Sequence, residues 1–219
     1  MKKVILSALM LGLVFTSCTD NGKEVEASDA VAIENNETAE SVKLSTISDD
    51  SHVEWFASHL GGTAPRFGKI MLQSADVTVN NNVVENASVV IDINSLTVLN
   101  FEDDEEQAGK LSGHLKSADF FNAEVNPTAQ FELASISAGS GDFNSEITGN
   151  LTILDSTKSI SFNANVNVSD AGVSIMSEKF AIDRTEWGMS YHVEGSEGVP
   201  ADYLIANEIG FIINVNLTK

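Results

Sequence analysis

From Thr46 onward, much of the chain alternates apolar and polar positions. Ile160, Phe162, Ala164, Val166 and Val168 interleave with Ser161, Asn163, Asn165 and Asn167. Ile209, Phe211, Ile213, Val215 and Leu217 repeat the pattern near the C-terminus, and Val89, Ile91 and Ile93 alternate with Val90, Asp92 and Asn94. Ile147, Leu151 and Ile153 keep one parity, with Gly149 inside the run. Period two puts successive side chains on opposite faces, so each run predicts a strand with one dry and one wet face. Such strands pair antiparallel, because parallel sheets need both faces covered. Turn-forming residues fall between the runs: Asn80-Asn81-Asn82, Gly139-Ser140-Gly141-Asp142, Asp155-Ser156-Thr157 and Asp170-Ala171-Gly172. Eight strands result, at 50–58, 66–79, 83–95, 129–138, 144–154, 159–169, 172–183 and 203–218, in meander order. Eight strands suffice to close a barrel whose interior holds side chains or one small ligand. A parity break between Ile175 and Phe180 predicts a bulge.

Residues 101–126 leave the pattern. Glu102-Asp103-Asp104-Glu105-Glu106 is followed by Leu111 and Leu115 at helical spacing, then Phe120-Phe121, and Pro127 closes the stretch. One long connection carrying one or two short helices across a barrel end is expected, with the acidic run as a solvated loop. Gly188–Asp202 is a second irregular stretch.

The N-terminus reads differently. Lys2 and Lys3 precede Val4–Phe15, a twelve-residue apolar run interrupted only by Ser7 and Gly12. As a helix it would span about 18 Å, short of a ~30 Å hydrocarbon core, so it predicts a secretory signal rather than a membrane span. Phe15-Thr16-Ser17-Cys18 resembles a bacterial lipobox, with Phe15 where Leu is usual. That makes residues 1–17 a lipoprotein signal peptide and Cys18, the only cysteine, the lipid anchor. Residues 18–45 are acidic, contain no aromatic residue and have few apolar positions. Too little area is available there to offset chain entropy, so a flexible tether is expected ahead of one β-barrel domain at 46–219. The expected location is the cell envelope, on the periplasmic face or the cell surface.

Charge removes several function classes. The sequence holds 32 Asp and Glu against 12 Lys and Arg, a net charge of −20. No basic surface exists for nucleic acid. A single cysteine excludes a disulfide framework and a thiolate zinc cluster. His52, His59, His114 and His192 form no HxH or HExxH pair, so no metal is expected. Glu102–Glu106 lacks the alternating spacing of a calcium loop. No G-x-S-x-G elbow, P-loop or dinucleotide glycine fingerprint is present, and the protein reads as a non-enzyme.

Four segments carry a family resemblance. They are His114-Leu115-Lys116-Ser117-Ala118-Asp119-Phe120-Phe121, Asn126-Pro127-Thr128-Ala129-Gln130-Phe131, Ile147-Thr148-Gly149-Asn150-Leu151-Thr152-Ile153, and Phe180-Ala181-Ile182-Asp183-Arg184-Thr185-Glu186-Trp187-Gly188-Met189. In order and spacing they resemble the YceI-like family of exported lipid-binding proteins, over roughly Ile47–Lys219. The resemblance implies an all-β, lipocalin-like antiparallel barrel with a long apolar interior for an isoprenoid or quinone-like amphiphile, and no cofactor. His59 and His114 match histidines that the family tends to carry, which implies polar residues near a cavity mouth. Arg184 could meet an anionic head group, or form a structural ion pair with Asp183. The expected ligand contacts are Trp55, His59, Phe67, His114, Phe120, Phe121, Phe131, Phe162, Phe180, Arg184 and Trp187. The expected partners are an apolar lipid and a membrane through acylated Cys18, with a homodimer left open. The competing reading is an envelope interaction or stress lipoprotein with a solid barrel core.

Overall fold

The computed structural model describes residues 21–101 and 103–219; the signal segment and Cys18 lie outside the described residues. Four short strands come first: β1 (Lys23–Glu24), β2 (Ser28–Asp29), β3 (Val42–Leu44) and β4 (Thr46–Ile47). Then come β5 (His52–His59), β6 (Thr63–Asn80), β7 (Val83–Asp92), β8 (Thr97–Val98) and helix α1 (Glu105–Lys116). The second half holds β9 (Thr128–Ala138), β10 (Ser145–Ile153), β11 (Ser156–Ser169), β12 (Gly172–Ser177), β13 (Phe180–Asp183) and β14 (Glu208–Thr218).

Neighbouring strands pair antiparallel in the order β5, β6, β7, β9, β10, β11, β12, β14, and β14 returns to β5. The result is a closed eight-stranded barrel. Closure is fixed where Phe211 faces Trp55 and Ile213 faces Val53. The predicted strand at 172–183 is split at Glu178-Lys179 into β12 and β13, both of which pair with β14. That split is the expected irregularity: Ser177 Oγ leaves the alternation to accept from the Ile213 amide (2.8 Å), and Glu178 donates its own amide to Asn163.

The parity read from sequence is the parity that fills the core. Val53, Ile70, Val77, Ile147, Ile160, Phe162, Ala164, Val173 and Val215 are all nearly inaccessible. Each of the Val, Ile and Phe side chains among them contributes about 1.5–3 kcal/mol relative to exposure. Phe131, Phe162, Phe180 and Phe211 form a row across the interior, with successive ring centroids 5.8, 4.6 and 6.1 Å apart. Gly149 on β10 belongs to this row. A side chain there would collide with the Phe131 ring and the Glu132 carbonyl, so the glycine leaves room for the ring to lie flat.

The long connection carries one helix, α1. The last three residues of the acidic run, Asp104–Glu106, form its cap and first turn rather than a loop. Asp104 caps it by accepting from the Gln107 amide (3.0 Å), Glu105 and Glu106 occupy the first turn, and His114 and Lys116 the last, matching the helix dipole. Glu106 pairs with Lys110 one turn on.

The expected free spacer is instead laid along the outside of the barrel. Asn21 is 4% exposed and donates to the Glu208 carbonyl; β1 pairs with β13 and β2 with β11. The strap thus enters where β13 has parted from β11. Asn150 of β10 then holds Val31 by both its amide and its carbonyl (3.0 and 2.8 Å). Thr78 bonds Glu37, and β3 and β4 pair with β6 and β14. Leu44 is buried in the core and Val25 and Ala27 pack against it, but much of the hold is backbone pairing and asparagine side chains, which hydropathy does not register.

Candidate functional site

One end of the barrel gathers the turn between β5 and β6, the connection bearing α1, and the loop 184–207. Beneath them lies a cavity of about 220 Å³. Strand β5 lines it with Trp55, Ala57, Ser58 and His59; Leu111, His114 and Leu115 of α1 form a roof; Phe120, Phe121, Tyr191, His192 and Tyr203 come from the loops. Trp55 is fixed by donating its indole N–H to the Thr97 carbonyl (3.1 Å). His114 meets the rings of Phe120 and Tyr191 edge-on at 5.1 and 5.0 Å, and its Nε2 lies 2.9 Å from Asp119 Oδ2. His59 Nδ1 is 2.7 Å from the Asp202 carbonyl, which makes that nitrogen the protonated one.

Two further spaces of about 50 Å³ each continue into the barrel, lined by apolar side chains alone. Phe121 lines both the mouth cavity and the nearer space; Val53, Ile91, Phe131 and Ile213 separate the nearer space from the deeper one. The interior is therefore a beaded row of spaces rather than one open tube, because the phenylalanine row fills its middle.

Arg184 is 0% exposed and lines the mouth cavity. The expected ion pair with Asp183 is not what holds it. Its Nε donates to Ala206 O (3.2 Å), one terminal nitrogen to Met189 O (2.8 Å), and the other to Tyr191 O and Ile205 O (2.9 and 3.4 Å). Asp183 instead accepts from the Thr185 amide and hydroxyl, starting the short 3₁₀ turn 184–187. Burial lowers the guanidinium's pKa and Asp183 partly offsets this; the group remains a cation. One charged side chain thus stitches the strand end to both legs of the mouth loop.

The family-model comparison matches a YceI-like domain to residues 45–217. The chain belongs to the YceI-like family. A UPF0312 protein of Pseudomonas aeruginosa is 37% identical over 84 residues, 38% of this chain and 39% of that protein's length. The chain thus spans about two fifths of the curated relatives it matches. Among solved structures, Burkholderia cenocepacia BcnA aligns with a TM-score of 0.59 at 19% identity, covering 77% of this chain and 96% of that one. A polyisoprenoid binding domain from Saccharophagus degradans, implicated in plant cell wall breakdown, aligns at 0.56 and 10% identity, covering 81% and 99%. Both likenesses show the same fold.

Within this YceI-like barrel, nine of the eleven expected contacts face the row of spaces. Trp55, His59, His114, Phe120, Phe121 and Arg184 line the mouth, and Phe131, Phe162 and Phe180 line the inner spaces. Two do not. Phe67 is 41% exposed, because its cross-strand partner is Phe56, which packs under the Lys179 ammonium (3.7 Å to the ring) on the outer face. Trp187 is buried, but it donates to the Leu151 carbonyl and plugs the barrel beside β10 without lining a space. Sequence reasoning did not select Ser58, Tyr191, His192 or Tyr203 as contacts. The last three come from the irregular stretch and its flank, where no periodicity assigns a face. Among the described residues, no group of three or more His, Cys, Asp or Glu is placed to hold a metal.

Proposed function

We propose that this YceI-like protein binds and carries or stores a long-chain apolar lipid, an isoprenoid or quinone-like amphiphile. In this reading acylated Cys18 holds it at the cell envelope, on the periplasmic face or the cell surface. The observation that carries the reading is the row of spaces: two bounded by apolar side chains alone, in line with a larger mouth cavity that holds the polar groups. The Saccharophagus degradans domain of like fold, described as binding polyisoprenoid, supports the ligand class. Burying a methylene is worth ~0.8 kcal/mol, and association costs about 4–15 kcal/mol, so chain length governs affinity and no sharp motif is needed. An anionic bilayer repels so acidic a chain, which leaves attachment to the acyl groups. The test is native mass spectrometry of the protein purified from membranes in mild detergent. A stoichiometric apolar ligand of uniform mass is expected; repeated recovery of the empty chain, even after exposure to isoprenoid lipids, sinks the reading.

A further inference from the structure

Phe67, expected at the ligand, stands outside the barrel as part of a row. Phe56 on β5 is its cross-strand partner, and its carbonyl accepts from the Leu99 amide (2.9 Å), which sets Leu99 opposite it at the end of β8. Side chains of paired residues share a face, with Cβ atoms about 5 Å apart, so Phe56, Phe67 and Leu99 lie side by side across β5, β6 and the end of β8. Phe67 is 41% exposed and Leu99 40%. Their chain neighbours point the other way: Arg66 lines the mouth cavity and Val98 is buried. The row therefore follows the outer rim of the mouth. Apolar side chains exposed singly need no explanation, but an abutting row beside a cavity marks a surface that something covers.

Charge and chain path name the cover. In a chain of net charge −20, residues 55–75 hold no Asp or Glu but include Arg66 and Lys69, and residues 93–101 hold no charged residue. Lys179 caps the Phe56 ring at 3.7 Å from its centroid, and Glu54, next along the same face of β5, stands opposite Lys69. Apolar side chains fringed by cations match the boundary between acyl chains and head-group phosphates. Val83, at the far end of the barrel, is more exposed at 61%, yet it shares its cleft with Glu34 and Glu85. The row also starts where the strap does: Asn21 lies against the outside of Gly210, which pairs with Phe56. We propose that Phe56, Phe67 and Leu99 seat the rim of the mouth on the lipid bilayer, with Lys69 and Lys179 at the level of the head groups. The inference rests on the reading of Cys18 as an acyl anchor, and it gives that attachment a fixed face.

Fluorescence quenching tests it, with the full chain purified with its acyl groups and placed in phosphatidylcholine vesicles whose acyl chains carry bromine. Native Trp55 and Trp187 are buried and set the background. Phe67→Trp adds emission that the brominated lipid quenches almost completely, whereas the emission added by Val83→Trp survives. Phe56→Trp is quenched as well, and adding Phe67→Glu with Leu99→Glu releases it. A loose leash with no preferred face gives equal quenching of Phe67→Trp and Val83→Trp, and that result overturns the seat. Unquenched Phe67→Trp in an acylated chain overturns it too, and so does quenching of Phe56→Trp that persists beside the two glutamates. A chain that carries no lipid yet shows quenched Phe67→Trp overturns the carrier reading and leaves the seat standing. A chain whose mass shows no acyl group and whose Phe67→Trp is unquenched loses anchor and seat together.

Discussion

The mouth cavity and the two inner spaces are built by different means. The inner spaces are walled by strands, and strand parity supplies only Val, Ile, Leu, Ala and Phe to them. The mouth is walled by a helix, two loops and a bulged strand end, and these deliver Arg184, His59, His114, His192, Tyr191 and Ser58 to one place. Regular pairing sorts side chains strictly by face, so polar groups can enter the bore only where pairing stops. Polarity is thereby confined to one end, and an amphiphile inside has one sensible orientation.

That contrast can be broken most forcefully at Arg184. Arg184→Met would strand the carbonyls of Ala206, Met189 and Tyr191, costing about 3 kcal/mol or more at ~1 for each of the three short bonds. Denaturant unfolding should register the loss, with the mouth loop 189–206 opening while the strand amides stay protected. Breaking the inner half should do the reverse. Ile213 lines both inner spaces, and Ile213→Trp overfills them at about 1–3 kcal/mol. Affinity for long-chain ligands should drop much more than for short ones, as measured by titration across a chain-length series. The smallest effect concerns the strap at the mouth end. Partial burial, then Glu208 and Asp183, raise the Glu24 carboxyl above its ordinary value of about 4.5. Just above that value the folded chain binds more protons than the unfolded one, so docking weakens as pH rises through the window. The hydrogen-exchange protection of the Val25 amide, which bonds Ala181, should increase on acidification toward about pH 5, and Glu24→Gln should flatten the dependence.

Much of this architecture was legible because alternation is a local signal. Period two yielded the eight strands, the break in the seventh, and the inward set that includes Phe131, Phe162 and Phe180. Phe67 was misplaced because alternation says that two faces exist, not which is inside; its register with Phe56 decides that, and register is a long-range fact. The strap was misread because its bonds, such as Asn150 to Val31 across 119 residues, leave no hydrophobic trace.

The strap's point of departure has a geometric consequence. Asn21 sits on β14 between Glu208 and Gly210, back to back with Ile209 of the cavity wall; Gly210 has no side chain, and any would strike the Asn21 carbonyl. Two residues, Thr19 and Asp20, lie between Cys18 and Asn21, a reach of at most about 10 Å. With acyl groups on Cys18, the leash would be shorter than the barrel is wide, and the doorway would hang over the lipid floor. A greasy passenger could then step across the threshold without ever crossing open water.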